Sequence, residues 1–269
     1  MPDPVMADTR IRRARILRQG LGCASLAIGA CLPMALHAQS ANLSGTVALS
    51  SQLVDRGLPV TSETPIVQGA VSWASPQGWS LRVSASAEAR KLDRLTETFA
   101  QAARYWTLAP DWQMGASLSY YDYPGPKEAR VYDRVESGLS WVYRDVLTFG
   151  LSAIYGVGSG DHRLRGAADV GFHWPLPGHF GVSAGAGIAQ SQVTYHSRYE
   201  HDHASSYEYD GVTYYSYTRW NSYGYGHVGL MWTYESWHLE LDRILTSGLK
   251  RPRNSLETAP WVATVSFSF

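Results

Sequence analysis

Apolar and polar residues alternate with a period of two from about residue 43 to residue 269, and that period belongs to β-strands rather than helices. The last eleven residues show it most cleanly. Trp261, Ala263, Val265, Phe267 and Phe269 alternate with Val262, Thr264, Ser266 and Ser268. Leu147, Phe149, Leu151, Ala153 and Tyr155 do the same against Thr148, Gly150, Ser152 and Gly156. So do Trp112, Met114, Ala116, Leu118 and Tyr120 against Gln113, Gly115, Ser117 and Ser119, and Trp79, Leu81, Val83, Ala85 and Ala87 against Ser80, Arg82, Ser84, Ser86 and Glu88. Each segment is close to ten residues, the length of a tilted strand that crosses a bilayer.

Twelve such segments are predicted, near 43–55, 65–74, 79–88, 96–108, 112–122, 131–143, 146–157, 163–174, 180–192, 219–234, 237–246 and 259–269. The fourth and tenth have blurred parity. Connections alternate in length. Those at 76–78, 109–111, 144–145, 175–179 and 235–236 are short. Those at 56–64, 89–95, 123–130, 158–162, 193–218 and 247–258 are long, and they hold all three lysines, Lys91, Lys127 and Lys250.

Tryptophan placement separates a membrane barrel from a soluble sandwich. Eight of the ten Trp (Trp73, Trp79, Trp106, Trp112, Trp141, Trp174, Trp232 and Trp237) sit beside short connections, while Trp220 and Trp261 open strands that follow long ones. A sandwich would place Trp in mid-strand. Trp at strand ends is an interfacial girdle, where an apolar ring and a polar N–H are both accommodated. A sheet in lipid must also have no free edge, because each unpaired backbone group costs several kcal/mol. The expectation is therefore an all-β fold, a transmembrane antiparallel β-barrel of twelve strands in an up-and-down meander. Short turns lie on the periplasmic side with both termini, in an outer membrane containing lipopolysaccharide.

Composition agrees. Only 17% of residues are charged, against 17 Tyr, 10 Trp and 25 Gly. Disordered chains have the opposite bias. A nucleic-acid partner is excluded by the neutral balance and the lack of a basic cluster beyond residue 18. Residues 1–38 read as a secretory signal peptide. Arg10, Arg12, Arg13, Arg15 and Arg18 precede an apolar run from Leu21 to Leu36, with cleavage near 38–40. The barrel then occupies 39–269. Cys23 and Cys31, the chain's two cysteines, fall in that leader. The mature chain therefore has no thiol for disulfides, nucleophilic catalysis or metal binding. Losing five Arg and two Asp leaves 18 basic and 21 acidic residues.

Twelve strands enclose a backbone diameter of roughly 23 Å, of which about 10 Å remains after inward side chains are allowed for. That is wide enough for a small solute and too narrow for a folded plug. The inward parity carries Arg56, Arg82, Glu88, Arg134, Glu136, Arg165, Asp169, Glu240 and Asp242, joined by Gln52, Gln68, Gln113, His173 and His238. These are the pore-lining candidates. Charged rings select solutes in pores, and paired charges equally fill and stiffen a closed barrel.

No cofactor or metal is expected. His196, Glu200, His201, Asp202 and His203 crowd the 193–218 connection, but their spacing matches no metal template. His203-Ala-Ser205 resembles the His-x-Ser of the outer-membrane phospholipase, yet here the pair sits in a loop rather than on a rigid strand. Asp202-His203 lacks the Asp-x-Asp partner of the outer-membrane proteases. The chain is not read as an enzyme.

Residues 44–74 resemble the start of the TorF family of porin-like proteins, through Ser50, Ser51, Arg56, Gly57, Pro65, Gln68 and Gly69. Where that family often has an aromatic after the Ser pair, this chain has Gln52 and Leu53. The resemblance implies a channel for small solutes and supplies no site residues. Phe269, after its alternating strand, resembles the C-terminal signal read by the barrel-assembly machinery. The expected function is a porin-like channel for small polar solutes. The alternative is a closed structural or binding barrel acting through its outer loops.

Overall fold

The computed structural model describes residues 42–124, 132–158, 163–197, 205–209, 212–248 and 258–269, with the side chains of 191–221 outside that description. The expected leader at 1–38, Lys127, Lys250 and the His-rich stretch at 198–204 fall outside the described residues. The strands are β1 (Asn42–Ser50), β2 (Val54–Asp55), β3 (Leu58–Pro59), β4 (Ile66–Ala74), β5 (Trp79–Glu88), β6 (Lys91–Ala109), β7 (Trp112–Asp122), β8 (Arg134–Tyr143), β9 (Leu147–Gly156), β10 (Leu164–Pro175), β11 (Phe180–Ser197), β12 (Ser205–Tyr209), β13 (Val212–Tyr234), β14 (Trp237–Ser247) and β15 (Trp261–Ser268).

Twelve of them close into one antiparallel barrel. The order β1-β4-β5-β6-β7-β8-β9-β10-β11-β13-β14-β15 follows the sequence, and β15 pairs back onto β1. At the closing seam Thr46 faces Ser268 and Ser50 faces Thr264. Beyond the last ladder pair, the N–H of Gly45 donates to the Phe269 carbonyl at 2.9 Å and Phe269 N–H returns the bond at 3.0 Å. The Phe269 ring lies on Gly45, in space that any side chain there would occupy.

The apolar parity points outward. Leu81, Val83, Leu118, Leu139, Leu151, Val228, Leu230 and Leu241 form an exposed belt, with Leu151 51% accessible although it lies in mid-strand. A band of this extent exceeds the apolar patches that water-soluble monomers tolerate. It is the lipid face of a membrane barrel. At one rim, Trp79, Trp106, Trp112, Trp174 and Trp237 are exposed beside short turns. Arg144 and Asp145 both take positive φ (50° and 59°), the signature of a two-residue type I′ hairpin.

Three segments differ from expectation. The first strand stops at Ser50 rather than 55, because residues 51–65 leave the wall and fold inward. The connection expected at 89–95 is a tight turn at Ala89 and Arg90, and β6 starts at Lys91. Residues 91–95 are exposed and pair with β5 through register shifts at Ser86–Glu88, so no one-sided pattern marks them as strand. In the region expected as one loop at 193–218, β11 runs on to Ser197, and β12 and β13 pair Ser205–Tyr209 with Val212–Ser216. A ribbon beyond the bilayer has two wet faces, and alternation is then not required.

Candidate functional site

The inward segment begins and ends on the β1–β4 wall, at the rim opposite the termini. Ser51 N–H donates to the Ala263 carbonyl at 2.9 Å, and Ala263 N–H donates to Ser51 Oγ at 3.1 Å. A short hairpin follows, with Val54 facing Pro59 and Asp55 facing Leu58. Its tip is Arg56-Gly57, with φ of 46° and 75°. Gly57 is required there, since a side chain would meet Thr246 and Tyr225 as well as an unfavourable backbone. Gln52 Nε2 donates to the Thr61 carbonyl at 2.9 Å, and the segment before β15 clamps the outside. Thr258 Oγ1 donates to the Gly57 carbonyl at 2.9 Å, and Ala259 N–H donates to Gln52 Oε1 at 2.8 Å.

The lumen wall carries apolar exceptions where this hairpin lies. Val54 packs with Ile244 and Val262, and Leu58 packs on Ile154, Ala167, Ala189 and Tyr223. The expected narrowness is thereby corrected. A short hairpin does occupy part of the lumen, over a wall that includes the small side chains of Ala167 and Ala189.

At the tip, Arg56 forms a fork onto Glu136 of β8, with Nη1 donating to Oε2 at 3.0 Å and Nη2 meeting Oε1. Arg56 Nη2 also donates to Ser152 of β9 at 3.2 Å. The hairpin rises from the β1–β4 wall, so this contact reaches the opposite side of the lumen. Beside it, Arg134 Nη2 donates to Asp55 Oδ2 at 2.6 Å and Nη1 to the Tyr123 hydroxyl at 3.1 Å, while its guanidinium lies 3.8 Å over the Tyr121 ring. Arg134 Nε is 3.5 Å from Glu136. Both guanidinium groups and Glu136 are nearly inaccessible to solvent. Buried charges persist only when paired in this manner.

A cavity of about 340 Å³ continues from this crossing toward the short-turn rim. Arg56, Arg82, Glu97, Asp169, His173 and Glu240 line it, with Gln68, Gln101, Tyr105, Tyr225 and His227. Of the expected pore residues, Arg56, Arg134 and Glu136 come together in the crossing. Arg82, Asp169 and Glu240, on separate walls, face the cavity. Asp242 is buried against β13. Glu88 and Arg165 lie half-buried on the lumen parity, outside the cavity lining. Among the others, Gln52 braces the hairpin, Gln113 is half-buried, and His238 is buried with Nδ1 2.8 Å from Thr233 Oγ1.

Sequence reasoning missed Asp55, Glu97, Tyr121 and Tyr123. Tyr121 continues the inward parity of Gln113 to Ser119, so that signal was present. Asp55 was hidden because its segment read as wall.

No protein-family model matches the chain, and no curated protein matches it. Among solved structures, the chain is similar to the KdgM porin (9% identity, 84% of this chain and 99% of that one, TM-score 0.49). It is similar to the NanC porin (12%, 84% and 98%, 0.46) and to a deletion mutant of the TodX monoaromatic hydrocarbon channel (11%, 96% and 97%, 0.44). Resemblance at this level carries no function across. The closed meander, its lipid-facing belt and its polar interior define a β-barrel of the outer-membrane type.

Proposed function

We propose that the chain is an outer-membrane channel for small polar solutes whose narrowest point is the Arg56 hairpin. The observation that carries this reading is the cavity of about 340 Å³, with Arg56, Arg82, Glu97, Asp169 and Glu240 in its lining, that leads from the hairpin toward the short-turn rim. Arg56, Arg82, Arg134, Glu136, Asp169, Glu240 and Asp242 would border the path, with Glu88 and Arg165 nearer the outer mouth. The stretch at 44–74 that resembles the TorF family includes the hairpin tip Arg56-Gly57 and supports the same reading. In this proposal residues 1–38 direct export, both termini are periplasmic, the β15 segment through Phe269 is read by the assembly machinery, and the surrounding partners are outer-membrane lipid and lipopolysaccharide. The role is transport rather than catalysis.

One observation favours the closed barrel instead: the ion pair of Arg56 with Glu136 and its hydrogen bond to Ser152 span the lumen. Planar-bilayer recordings of the wild type and of a variant with 53–60 replaced by a short Gly-Ser link separate the two. Discrete steps in the wild type, larger in the variant, support a channel with a hairpin constriction. A silent wild type beside a conducting variant makes the barrel closed. Silence from both, with folded protein, removes the channel.

A further inference from the structure

Below the hairpin the charges are unevenly shared. Asp169 on β10, Glu240 on β14 and Glu97 on β6 line the cavity, Asp242 lies beside it on β14, and among the described residues Arg82 on β5 is the one guanidinium lining it below the tip. Among the described residues the ion pairs in the lumen are those of Arg56, Arg134 and Glu136 in the crossing, and a 3.8 Å approach of His238 Nε2 to Glu240. Among the described residues, neither Asp169 nor Asp242 forms an ion pair.

Three atoms on one wall are both buried and without hydrogen-bond partners: Asp242 Oδ1, Ser183 Oγ and His238 Nε2. Asp242 and Ser183 are 4% and 8% exposed, so water does not substitute freely for the missing partners. Their oxygens converge on one point. Asp242 from β14 and Ser183 from β11 both lean over Gly229 of β13, into the place where a side chain at 229 would begin. Glu240 lies two residues along β14 on the same face, and Ser183 and Glu240 both line the cavity. The glycine thus leaves a cradle with a carboxylate and a hydroxyl aimed into it and a second carboxylate beside it.

The carboxylate only accepts and the hydroxyl can accept, so a donor-rich cation would satisfy both oxygens together. We propose that it is a subsite for a protonated amine, and that the channel recognises small solutes carrying an organic ammonium group. An ammonium has three N–H donors and no acceptor, which matches two converging oxygens and leaves the third donor for Glu240 or water. A metal ion fits less well, since among the described residues no three His, Cys, Asp or Glu side chains gather to hold one. This inference rests on the channel reading above.

The test uses the full barrel in proteoliposomes and three probes of nearly equal size: ethanolammonium, ethylene glycol and glycolate. Efflux of each is measured separately. The wild type should favour ethanolammonium over glycolate by about tenfold, equivalent to about 1.4 kcal/mol. Asp242→Asn should bring that ratio to within about twofold. Gly229→Ala, whose Cβ displaces the Asp242 carboxylate, should do the same by a different route, and Ser183→Ala should lower the ratio less. Heat-modified gel mobility establishes that each barrel is folded, and with three variants the comparison survives the loss of one. Passage of all three probes at similar rates in the wild type, or a ratio unmoved by Asp242→Asn and Gly229→Ala, overturns the ammonium subsite and leaves the channel standing. No passage of any probe overturns the channel, and the subsite with it.

Discussion

Arg56 shows how one side chain can govern a lumen. Its guanidinium is buried at the tip of a hairpin, and its charge is balanced by a carboxylate on the far wall. Removing one member of such a pair strands the other in a low-dielectric interior, at about 3–5 kcal/mol. Glu136→Gln should therefore lower barrel stability toward the lower end of that range, since Arg134 keeps its bond to Asp55. Urea titration in lipid checks it, and a loss below about 1 kcal/mol, the usual worth of an exposed pair, would mean that the pair is solvated. Neighbouring residues test the parity of the wall. Leu151 faces lipid in mid-strand, so Leu151→Arg should cost about 2–4 kcal/mol. Ser152→Arg avoids lipid but sets a second cation against Arg56, and should chiefly reduce conductance. Equal unfolding midpoints for the two variants would contradict the assigned faces.

At the scale of elements, the strands obey local rules and the hairpin obeys a global one. The tip takes two successive positive φ values, which Gly57 tolerates and Arg56 accepts because its side chain is held by Glu136 and Ser152 on the far wall. Gly57→Val should release the tip, since the new side chain meets Thr246 and Tyr225. Larger conductance steps with unchanged lipid-facing strands are the expected outcome, and smaller steps would mean that the hairpin props the lumen open. The segment was legible only in part. Arg56 and Gly57 stood out in the sequence, and Arg56 was assigned inward. Its route inward was missed because Leu53 and Val54 were read as the end of a wall strand at 43–55, with the connection starting only at Arg56. Ile154, Ile244 and Val262 were the counterpart signal: apolar residues on a parity otherwise polar or small.

For the whole molecule, the order of strands around the barrel is the order in the chain, and the terminal strands meet each other. Short turns then gather at one rim, and the longer connections at the other, where a tight turn at Ala89 and Arg90 also joins β5 to β6. If the short-turn rim is periplasmic, an epitope inserted at Lys127 should be reached by antibody on intact cells. One at Glu235-Ser236 should be reached only after permeabilisation, and the reverse result would invert the barrel. Strand number, lipid-facing parity and the Trp rim could be read without coordinates, because each follows from neighbours one or two residues apart and from the demand that backbone groups in lipid be paired. The occupant of the lumen could not. The fork of Arg56 on Glu136 joins residues 80 apart in the chain, and the convergence of Ser183 and Asp242 over Gly229 joins three strands. Such contacts depend on the stagger and curvature of the closed sheet, which no local period encodes.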